Sequence, residues 1–481
     1  MTGFEDHLAA VFGADLDRFL AHPDVPTFVR ANPLNLPPER LPEVFDRYGL
    51  ELERHPVEQV AAWQVVGSRH GHSAGVCLHH FLGAFAIQSI GSMIPPILLD
   101  PQPGERILDL CASPGSKTSE ILTLMQGRGR LWANDLNSRR MSPLAAVLDA
   151  TGAASVSLIN RDGVELPKLV REPFDRVLAD VPCTGLGCRD NLTQNRAYFE
   201  RRGGPSGLPD LQYRLLMAAV RLVREGGRVV YSTCSLDPAE NEAVVDAALR
   251  RLPVRLVEPR DLAGLHLREG RTEHGAQRFD PSLALTRRLC PWENPSEGFF
   301  VAVLEKTGPL SERHNEPDEA DEASAWTDTL APDHPDAAAM LEQLARTYGI
   351  PVERFEGWRY LISERRSTMV PADQTRAWGG VMRAGAALGR RSGGDWRLSH
   401  TAVQRFREDI TRNRVDLSRA QLEELAERGT CDLLPSQEEP TTLGPALAFD
   451  GVGGPFARGV WNKGRLRWKK PRRYVLPTVE G

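Results

Sequence analysis

Several familiar class signatures are missing from this sequence. No apolar run approaches the roughly 20 residues that span a bilayer, and the acidic N-terminus lacks the basic-then-apolar pattern of a signal peptide. The seven cysteines are odd in number, unevenly spaced and free of any Cys-x-x-Cys pair, which argues against a disulfide framework and a zinc site. The formal net charge of -5 shows no overall excess of basic residues, so a nucleic-acid partner would require local basic patches. These absences predict a soluble, cytoplasmic protein with no membrane partner and no bound metal.

Composition divides the 481 residues into four segments. Residues 1–90 are helix-like and punctuated by prolines, which predicts a helical N-terminal region, and we expect this region to bind RNA. Strand-like and helix-like patterns alternate over residues 91–306, as in an α/β domain with a Rossmann-like, doubly wound, mostly parallel sheet. Residues 307–335 are rich in Asp, Glu and Pro and indicate an exposed acidic linker. Residues 336–481 are predicted to form a separate α+β module that binds RNA.

Polar residues follow the predicted strands of the second segment in a regular way. The strands are predicted at 106–110, 130–135, 156–160, 176–179, 228–231 and 298–304, with a helix at 117–125. Two of them lead directly into cysteine motifs, Asp180-Val181-Pro182-Cys183 and Ser232-Thr233-Cys234-Ser235. Open α/β sheets bind their ligands at the carboxyl ends of the strands. We therefore expect two thiols to meet in one cleft beside an acid, an arrangement suited to covalent catalysis.

The loop after the first strand, Asp109 to Thr118, has the small residues that let a ligand approach the backbone of a helix N-terminus. It matches neither a P-loop nor the Gly-x-Gly-x-x-Gly fingerprint of dinucleotide-binding proteins. Asp135, at the end of the second strand, is placed to accept hydrogen bonds from ribose hydroxyls, and Asp162 to meet an adenine edge. An adenosine ligand with a carboxylate tail and no phosphate matches S-adenosyl-L-methionine. The alternative is that both aspartates only cap loops.

At this point the chain resembles the Sun (Nop/Sun) family of RNA cytosine-5 methyltransferases over residues 85–306. The motifs that carry the resemblance are Ser92 to Pro96, Asp109 to Thr118, Asn134-Asp135, Asp180 to Cys183, Tyr231 to Leu236 and Gly298 to Leu304. Glu240-Asn241-Glu242 and Arg189-Asp190-Asn191 look most like the tRNA-directed branch. The chain departs from the family at Ser89, where an acid usually follows the glutamine. The resemblance implies the S-adenosylmethionine-dependent methyltransferase fold.

The resemblance also implies roles for individual residues. It implies a binding site for S-adenosyl-L-methionine that is lined by Cys111, Ala112, Ser113, Pro114, Gly115, Ser116, Lys117, Asp135, Arg140, Asp162 and Asp180. Cys234 corresponds to the family's nucleophile and Cys183 to the cysteine that assists release of the methylated RNA.

These roles fit the chemistry of the base. Carbon 5 of cytosine is a poor nucleophile, and addition of the Cys234 thiolate at carbon 6 would make it enamine-like. Asp180, near ring nitrogen 3, would supply or share the proton that neutralises the adduct. Lys117 would orient Asp180 or lower the pKa of a cysteine through its charge. The target base must be flipped out of its stack to reach these groups.

RNA contacts are predicted for the C-terminal stretch 458–474, which has eight basic residues and no acid. Trp461, Trp468 and Tyr474 interleave with the basic residues, a pattern that suits phosphate contacts and base stacking. The alternative is a basic edge strand with its tryptophans packed inward. We expect tRNA as the preferred substrate, with ribosomal RNA second and no stable protein partner.

Two rival functions remain open at this stage. A DNA cytosine-5 methyltransferase also has a Pro-Cys motif, but there that cysteine is the nucleophile, and the second motif around Cys234 argues against this class. A catalytically silent RNA-binding factor could keep the same fold, although every candidate catalytic group is present.

Overall fold

A computed structural model describes residues 3–170, 172–202, 207–310, 327–374, 376–377, 381–432, 444–450, 454–462 and 465–467. The first segment contains both helices and strands. These elements are α1 (Phe4–Phe12), α2 (Leu16–Ala21), β1 (Phe28–Ala31), α3 (Leu41–Asp46), β2 (Leu50–Arg54), β3 (Ala62–Ser68), α4 (Leu78–Phe81) and β4 (Phe85–Ile87). The strands form an antiparallel sheet in the order β2-β3-β1-β4. The prediction of a helical region for residues 1–90 is therefore incomplete: β1 and β4 are too short to show a period, but the apolar–polar alternation of β2 is a strand signal that the prediction missed.

The second segment forms a doubly wound sheet. Its helices are α5 (Ile90–Leu99), α6 (Ser116–Leu124), α7 (Ser138–Thr151), α8 (Leu166–Leu169), α9 (Leu192–Arg202), α10 (Leu208–Leu222) and α11 (Glu242–Arg251). Its strands are β5 (Arg106–Asp109), β6 (Arg130–Asn134), β7 (Val156–Ile159), β8 (Phe174–Asp180), β9 (Val223–Thr233), β10 (Val254–Leu256), β11 (Leu267–Glu269), β12 (Glu273–His274), β13 (Gln277–Arg278), β14 (Arg287–Leu289) and β15 (Phe299–Lys306).

The central strands are parallel, in the order β7-β6-β5-β8-β9, and β15 joins β9 in the antiparallel sense. The predicted Rossmann-like α/β fold is confirmed, but the sheet as a whole is mixed, because the strands beyond both ends of the parallel part pair in the antiparallel sense. The strand of this sheet that comes first in the chain, β5, lies in the middle of the parallel strands, and later strands are added on both sides of it. This order brings the carboxyl ends of β5, β8 and β9 side by side, because β8 lies between the other two.

Successive residues of the central strands pack on opposite faces of the sheet. Ile107 and Val230 belong to a core that also contains apolar residues of α5, α6 and α7. Their neighbours Leu108 and Val229 belong to a second core with residues of α10 and α11. All four side chains are buried. Burial of each such side chain contributes about 1.5–3 kcal/mol to the folding free energy relative to leaving it exposed. Because both faces of these strands are buried, their sequences are continuous apolar runs.

The described part of the C-terminal segment is an α+β module. Its elements are β16 (Thr327–Asp328), α12 (Pro335–Tyr348), β17 (Trp358–Ile362), β18 (Arg366–Pro371), β19 (Arg376–Ala377), β20 (Val381–Ala384), β21 (Ala386–Ser392), β22 (Asp395–Leu398), α13 (His400–Arg405), β23 (Arg414–Leu417), α14 (Arg419–Arg428), β24 (Thr430–Asp432), β25 (Gly444–Asp450), β26 (Gly454–Asn462) and β27 (Arg465–Arg467). Two of its sheets have the orders β17-β18-β21-β22 and β23-β25-β26-β27-β24. Most of the predicted acidic linker, residues 311–326, lies outside the described residues.

One strand of this module belongs to the central sheet. Strand β20 pairs antiparallel with β7, so that Val381 lies opposite Ile159 and Ala384 opposite Ser157. Arg383 on β20 also forms an ion pair with Asp149 on α7. None of the described helices combines the length and the apolar character that a membrane crossing requires.

Candidate active site

The two cysteine motifs lie at the carboxyl ends of neighbouring parallel strands. Strand β8 ends at Asp180, which pairs in register with Ser232 of β9, and β9 ends at Thr233, just before Cys234. The backbone N–H of Val181 donates to the Ser232 carbonyl at 3.1 Å and continues the pairing beyond β8. The structure therefore brings both thiols to one edge of the sheet, as the strand pattern predicts.

The sulfur atoms of Cys183 and Cys234 are 3.0 Å apart, and both residues are free cysteines. The hydrogen bond with Cys183 lowers the pKa of Cys234, and the Lys117 cation acts in the same direction, against burial and the Asp180 carboxylate. The same hydrogen bond, together with burial, raises the pKa of Cys183 well above its usual value. Because the thiolate is the reactive form of cysteine, the asymmetry favours Cys234 as the nucleophile and Cys183 as a neutral thiol.

Lys117 and Asp180 form an ion pair beside the thiols. The Nζ of Lys117 is 2.8 Å from Oδ2 of Asp180, and the hydroxyl of Ser232 donates to Oδ1 at 2.7 Å. Burial acts to lower the pKa of Lys117, but the Asp180 carboxylate and the charge at Cys234 outweigh it, so this pKa is raised. Lys117 Nζ also lies 5.1 Å from the centre of the Phe299 ring. Lys117 is thus a permanent cation that fixes the Asp180 carboxylate.

A buried carboxylate, Glu240, joins the loops that carry the two cysteines. Its oxygens accept hydrogen bonds from the Thr184 N–H at 3.0 Å, the Ser235 hydroxyl at 3.0 Å and Gln212 Nε2 at 2.9 Å, and also from the Thr184 hydroxyl. Gln212 Nε2 in turn reaches the Pro182 carbonyl at 2.9 Å. Burial raises the pKa of Glu240 in spite of these donors. The sequence places Glu240 in a motif but gives no sign that it reaches both loops.

The loop between β5 and α6 has the close packing expected of a cofactor loop. Gly115 adopts a φ of +110°, and a Cβ there would lie 2.9 Å from a methyl carbon of Leu144. Asp109 is buried at the end of β5, where Thr118 Oγ1 donates to its Oδ2 at 2.7 Å. Burial raises the pKa of Asp109 to about 7, and burial also raises the pKa of Cys111 well above its usual value. Cys111 is therefore a neutral thiol beneath the loop.

Two buried polar atoms of this loop have no hydrogen-bond partner: Oδ1 of Asp109 and the hydroxyl oxygen of Ser113. Buried polar atoms are normally paired, so an acceptor and a hydroxyl are left for a ligand here. An amino group and a carboxylate, as in an amino-acid tail, would satisfy them. The residues present thus fit the predicted adenosine ligand.

Asp135 closes the other side of the loop. Its Oδ2 accepts a hydrogen bond from the Ser113 N–H at 3.2 Å, and its Oδ1 accepts one from the Asn137 N–H at 2.8 Å. Arg140 donates to the Ser113 carbonyl at 2.6 Å and lies 3.9 Å from the Asp135 carboxylate. Asp162 accepts from the Val164 N–H at 3.0 Å, so it caps its own turn. Both predicted readings of the aspartates, loop cap and ligand contact, are therefore compatible with the geometry.

Sequence reasoning missed a buried arginine that reaches the cofactor helix. Arg30 of β1 is 2% exposed and donates to Gln88 Oε1 at 2.9 Å, Ser119 Oγ at 2.8 Å and Thr123 Oγ1 at 3.1 Å. Gln88 Nε2 donates to Glu120 at 2.6 Å. Gln88 thus links the N-terminal sheet to α6, while Ser89, the departure from the family pattern, precedes α5. No sequence signal distinguishes a buried arginine from an exposed one.

Helix α1 covers the loops that follow both cysteines. Phe4, Leu8 and Phe12 share an apolar cluster with Leu186 and Leu236, which follow Cys183 and Cys234 in the chain. The face of α1 that carries these side chains is buried. The N-terminal segment therefore forms part of the wall of the site.

The predicted basic stretch 458–474 is described only in part. Arg465, Leu466 and Arg467 form β27, where Leu466 is buried and Arg465 lies 2.7 Å from Asp432. The predicted contacts Trp468, Lys469, Lys470, Arg472, Arg473 and Tyr474 lie outside the described residues.

Among the described residues, no group of three or more His, Cys, Asp or Glu side chains is placed to hold a metal ion. Of the clustered N-terminal histidines, His79 is buried with its Nδ1 2.7 Å from the Tyr48 hydroxyl. This placement makes His79 part of the core of the first segment.

Comparison with known proteins identifies relatives for the central domain. Residues 96–305 match the family model described as 16S rRNA methyltransferase RsmB/F. The tRNA (cytosine(49)-C(5))-methyltransferase of Pyrococcus abyssi is 34% identical over 239 residues, which cover 48% of this chain and 73% of that protein. The 25S rRNA (cytosine-C(5))-methyltransferase nop2 of Schizosaccharomyces pombe is 36% identical over 290 residues, which cover 58% of this chain and 46% of nop2.

A solved structure agrees with these matches. A methyltransferase homolog protein from Pyrococcus horikoshii superimposes with a TM-score of 0.55 at 29% identity, covering 63% of this chain and 94% of that one. The chain spans less than half the length of four ribosomal RNA methyltransferases that it matches, nop2 among them.

Proposed function

Because the chain belongs to the Nop/Sun family of RNA cytosine-5 methyltransferases, we propose that it methylates carbon 5 of a cytosine in RNA. The observation that carries the proposal is the 3.0 Å contact between Cys183 and Cys234 at the ends of β8 and β9, beside the Lys117–Asp180 pair. A single activated thiol would serve many reactions. Two thiols with opposite pKa shifts suit a reaction in which one adds to the substrate and the other assists its release.

S-adenosyl-L-methionine supplies the methyl group when it is bound. The residues that would hold it are the loop from Cys111 to Lys117, Asp135, Arg140, Asp162 and Asp180. Asp109 and Ser113 add the two unpartnered atoms described above. Asp135 would accept hydrogen bonds from the ribose hydroxyls, because its carboxylate lies against the loop that follows β5.

The proposed reaction begins with a covalent step at Cys234. The Cys234 thiolate adds to carbon 6 of the flipped cytosine, ring nitrogen 3 takes up a proton from solvent, and the Asp180 carboxylate accepts a hydrogen bond from the N–H so formed, which shares that proton. After carbon 5 is methylated, a base removes its proton, the double bond between carbons 5 and 6 forms again, and Cys234 leaves as a thiolate. Cys183, a neutral thiol within hydrogen-bonding distance, stabilises the departing thiolate.

We propose tRNA as the substrate, with ribosomal RNA as the second candidate. The tRNA proposal is supported by the Pyrococcus abyssi relative, of which the chain covers 73%. Ribosomal RNA is favoured by the description of the matching family model and by nop2. We also propose a reducing, cytoplasmic compartment, in which free thiols can act as nucleophiles.

Transfer of tritiated methyl groups from S-adenosyl-L-methionine to purified tRNA and, separately, ribosomal RNA tests this function. Bisulfite sequencing of the products identifies the cytosine. Label in tRNA that Cys234→Ala abolishes is the expected result, and label in ribosomal RNA alone would move the substrate to the second candidate. If neither RNA is labelled although calorimetry shows cofactor binding, the proposed activity is wrong for both and a silent RNA-binding factor replaces it.

The assignment of the two cysteines needs its own control. RNA that contains 5-fluorocytosine should trap a covalent adduct with the wild-type protein and with Cys183→Ala, but not with Cys234→Ala. The reverse pattern would assign the nucleophile as in DNA cytosine-5 methyltransferases. Cys188→Ala is a matched control, because Cys188 is in the loop after β8, and burial raises its pKa.

A further inference from the structure

Three arginines stand directly opposite one another on neighbouring strands of the C-terminal module. Arg366 of β18 pairs in register with Arg390 of β21, which pairs in register with Arg397 of β22. Residues opposite one another on adjacent strands share a face of the sheet, with strands about 4.8 Å apart. The side chains therefore form one row across three strands, about 10 Å long. Arg366 and Arg390 are exposed and Arg397 is half-buried.

The other face of this sheet is already occupied. Met369, Leu388, Trp396 and Leu398 pack with residues of α12 in a single apolar core. An irregularity in the pairing of β18 with β21, between Ser367 and Thr368, lets β21 contribute both core residues and Arg390. The arginine row consequently faces away from the core.

Among the described residues, no carboxylate forms an ion pair with the row, and Asp395, two residues before Arg397 on β22, is the acid that shares its face. No hydrogen bond joins the guanidinium group of Arg366, Arg390 or Arg397 to another described side chain; Arg366 contacts the Ser363 hydroxyl through its backbone only. Like charges that stand directly opposite one another on a sheet are destabilising. Elsewhere in the chain an arginine stands opposite an acid instead of another arginine: Arg255 on β10 pairs with Glu305 on β15, 2.8 Å away. Three neighbouring cations without an ion-paired acid lower the free energy of unfolding, and a bound anion would relieve their repulsion.

We propose that Arg366, Arg390 and Arg397 form a phosphate-binding row that holds the sugar-phosphate backbone of the substrate RNA. The proposal rests on the proposed function, since it names a surface through which that RNA is bound. Guanidinium groups suit phosphate oxygens because their donors form a planar fork. A polyanionic strand with regularly spaced charges matches a linear row better than a single small anion does. The row lies on a different sheet from β26 and β27, which contain the described part of the stretch 458–474.

The test compares the full-length protein with Arg366→Gln/Arg390→Gln/Arg397→Gln. The affinity for fluorescent tRNA is measured between 50 and 300 mM KCl. Loss of three phosphate contacts should reduce the magnitude of the slope of log K against log salt by about 2 to 3. At about 100 mM salt the affinity should fall at least tenfold. In methyl transfer the KM for RNA should rise while kcat stays unchanged, because the row lies outside the catalytic residues.

Two control proteins make the test specific. Arg224→Gln/Arg255→Gln/Arg428→Gln removes the same charge from exposed arginines that have carboxylate partners, and it should leave the slope nearly unchanged. Arg366→Lys/Arg390→Lys/Arg397→Lys keeps the charge and should keep most of the slope. Thermal melts should show that the glutamine variant of the row is at least as stable as the wild type, since the substitutions remove repulsion.

The results separate this proposal from the proposed function. If the wild type methylates RNA and the row variant matches it in affinity, salt slope and KM, the row does not bind RNA. An equal loss in the control variant would also overturn the proposal, because it would show a general charge effect. If RNA binds through the row but is never methylated, the row stands and the proposed function fails.

Discussion

The sulfur atoms of Cys183 and Cys234 lie 3.0 Å apart although the two residues come from different loops. Strand pairing between β8 and β9 sets this distance, and Glu240 fixes it by accepting hydrogen bonds from both loops. The contact shifts the pKa values of the two thiols in opposite directions. It also makes the pair sensitive to oxidants.

Hydrogen peroxide should convert the two thiols into a disulfide. Each thiol gives up one hydrogen atom, a sulfur–sulfur bond forms, and peroxide is reduced to water. Intact-protein mass spectrometry should show a product two hydrogen atoms lighter, without methyl transfer activity, that dithiothreitol restores. Cys188→Ala should behave like the wild type, whereas Cys183→Ala should form no such product. Formation of a disulfide from other cysteines under the same conditions would contradict the prediction.

Alkylation of Cys234 should depend on Cys183. The hydrogen bond with Cys183 is the first cause of the lowered pKa of Cys234, so Cys183→Ala should move the pH midpoint of alkylation upward. Because a thiolate reacts and a thiol does not, the rate at pH 7 should fall by severalfold. The measurement is peptide mapping after iodoacetamide treatment between pH 6 and 10. Lys117→Met should shift the midpoint in the same direction, and an unchanged midpoint in both variants would show that the two groups do not tune the thiol.

Asp135→Asn should weaken binding of S-adenosyl-L-methionine by about tenfold to a hundredfold. The carboxylate accepts two backbone N–H bonds around the cofactor loop, and a charged hydrogen bond is worth about 1.5–3 kcal/mol. Calorimetry on the purified protein measures the affinity. Asp149→Asn is the control, because Asp149 lies near the other end of α7 and pairs with Arg383. Equal losses in the two variants would indicate a general effect on α7 instead of a loss at the site.

Stability should fall as the pH rises through the titration of Glu120. Burial raises the pKa of this carboxyl from 4.5 to about 8, so between these values the folded protein binds more protons than the unfolded chain. The free energy of unfolding then decreases with rising pH, by up to about 1.4 kcal/mol per pH unit. Urea denaturation at pH 5.5, 7.0 and 8.5 measures the slope. Glu120→Gln should make the slope shallower, with the remainder due in part to Asp109, whose pKa is also raised, and a variant with the same slope as the wild type would contradict the raised pKa of Glu120.

The central sheet and the two thiol loops could be predicted because their signals are local. A run such as Val229 to Tyr231 is β-branched or aromatic and buried on both faces, and a polar motif follows it directly. Arg30 and Glu240 could not be predicted, since their positions depend on which distant loops the fold brings to them. A carboxylate that accepts four hydrogen bonds has the same sequence signature as one in solvent. Arg366, Arg390 and Arg397 become a row only when the register of three strands is known.

The pairing of β20 with β7 has a consequence for work with the catalytic domain alone. A protein that ends near residue 310 would keep the region that the family model spans but lose β20. The backbone N–H and C=O groups along the free side of β7 would then face water, next to apolar side chains such as Ile159. Exposed strand edges pair readily with other chains, so such a fragment would tend to self-associate and aggregate during purification.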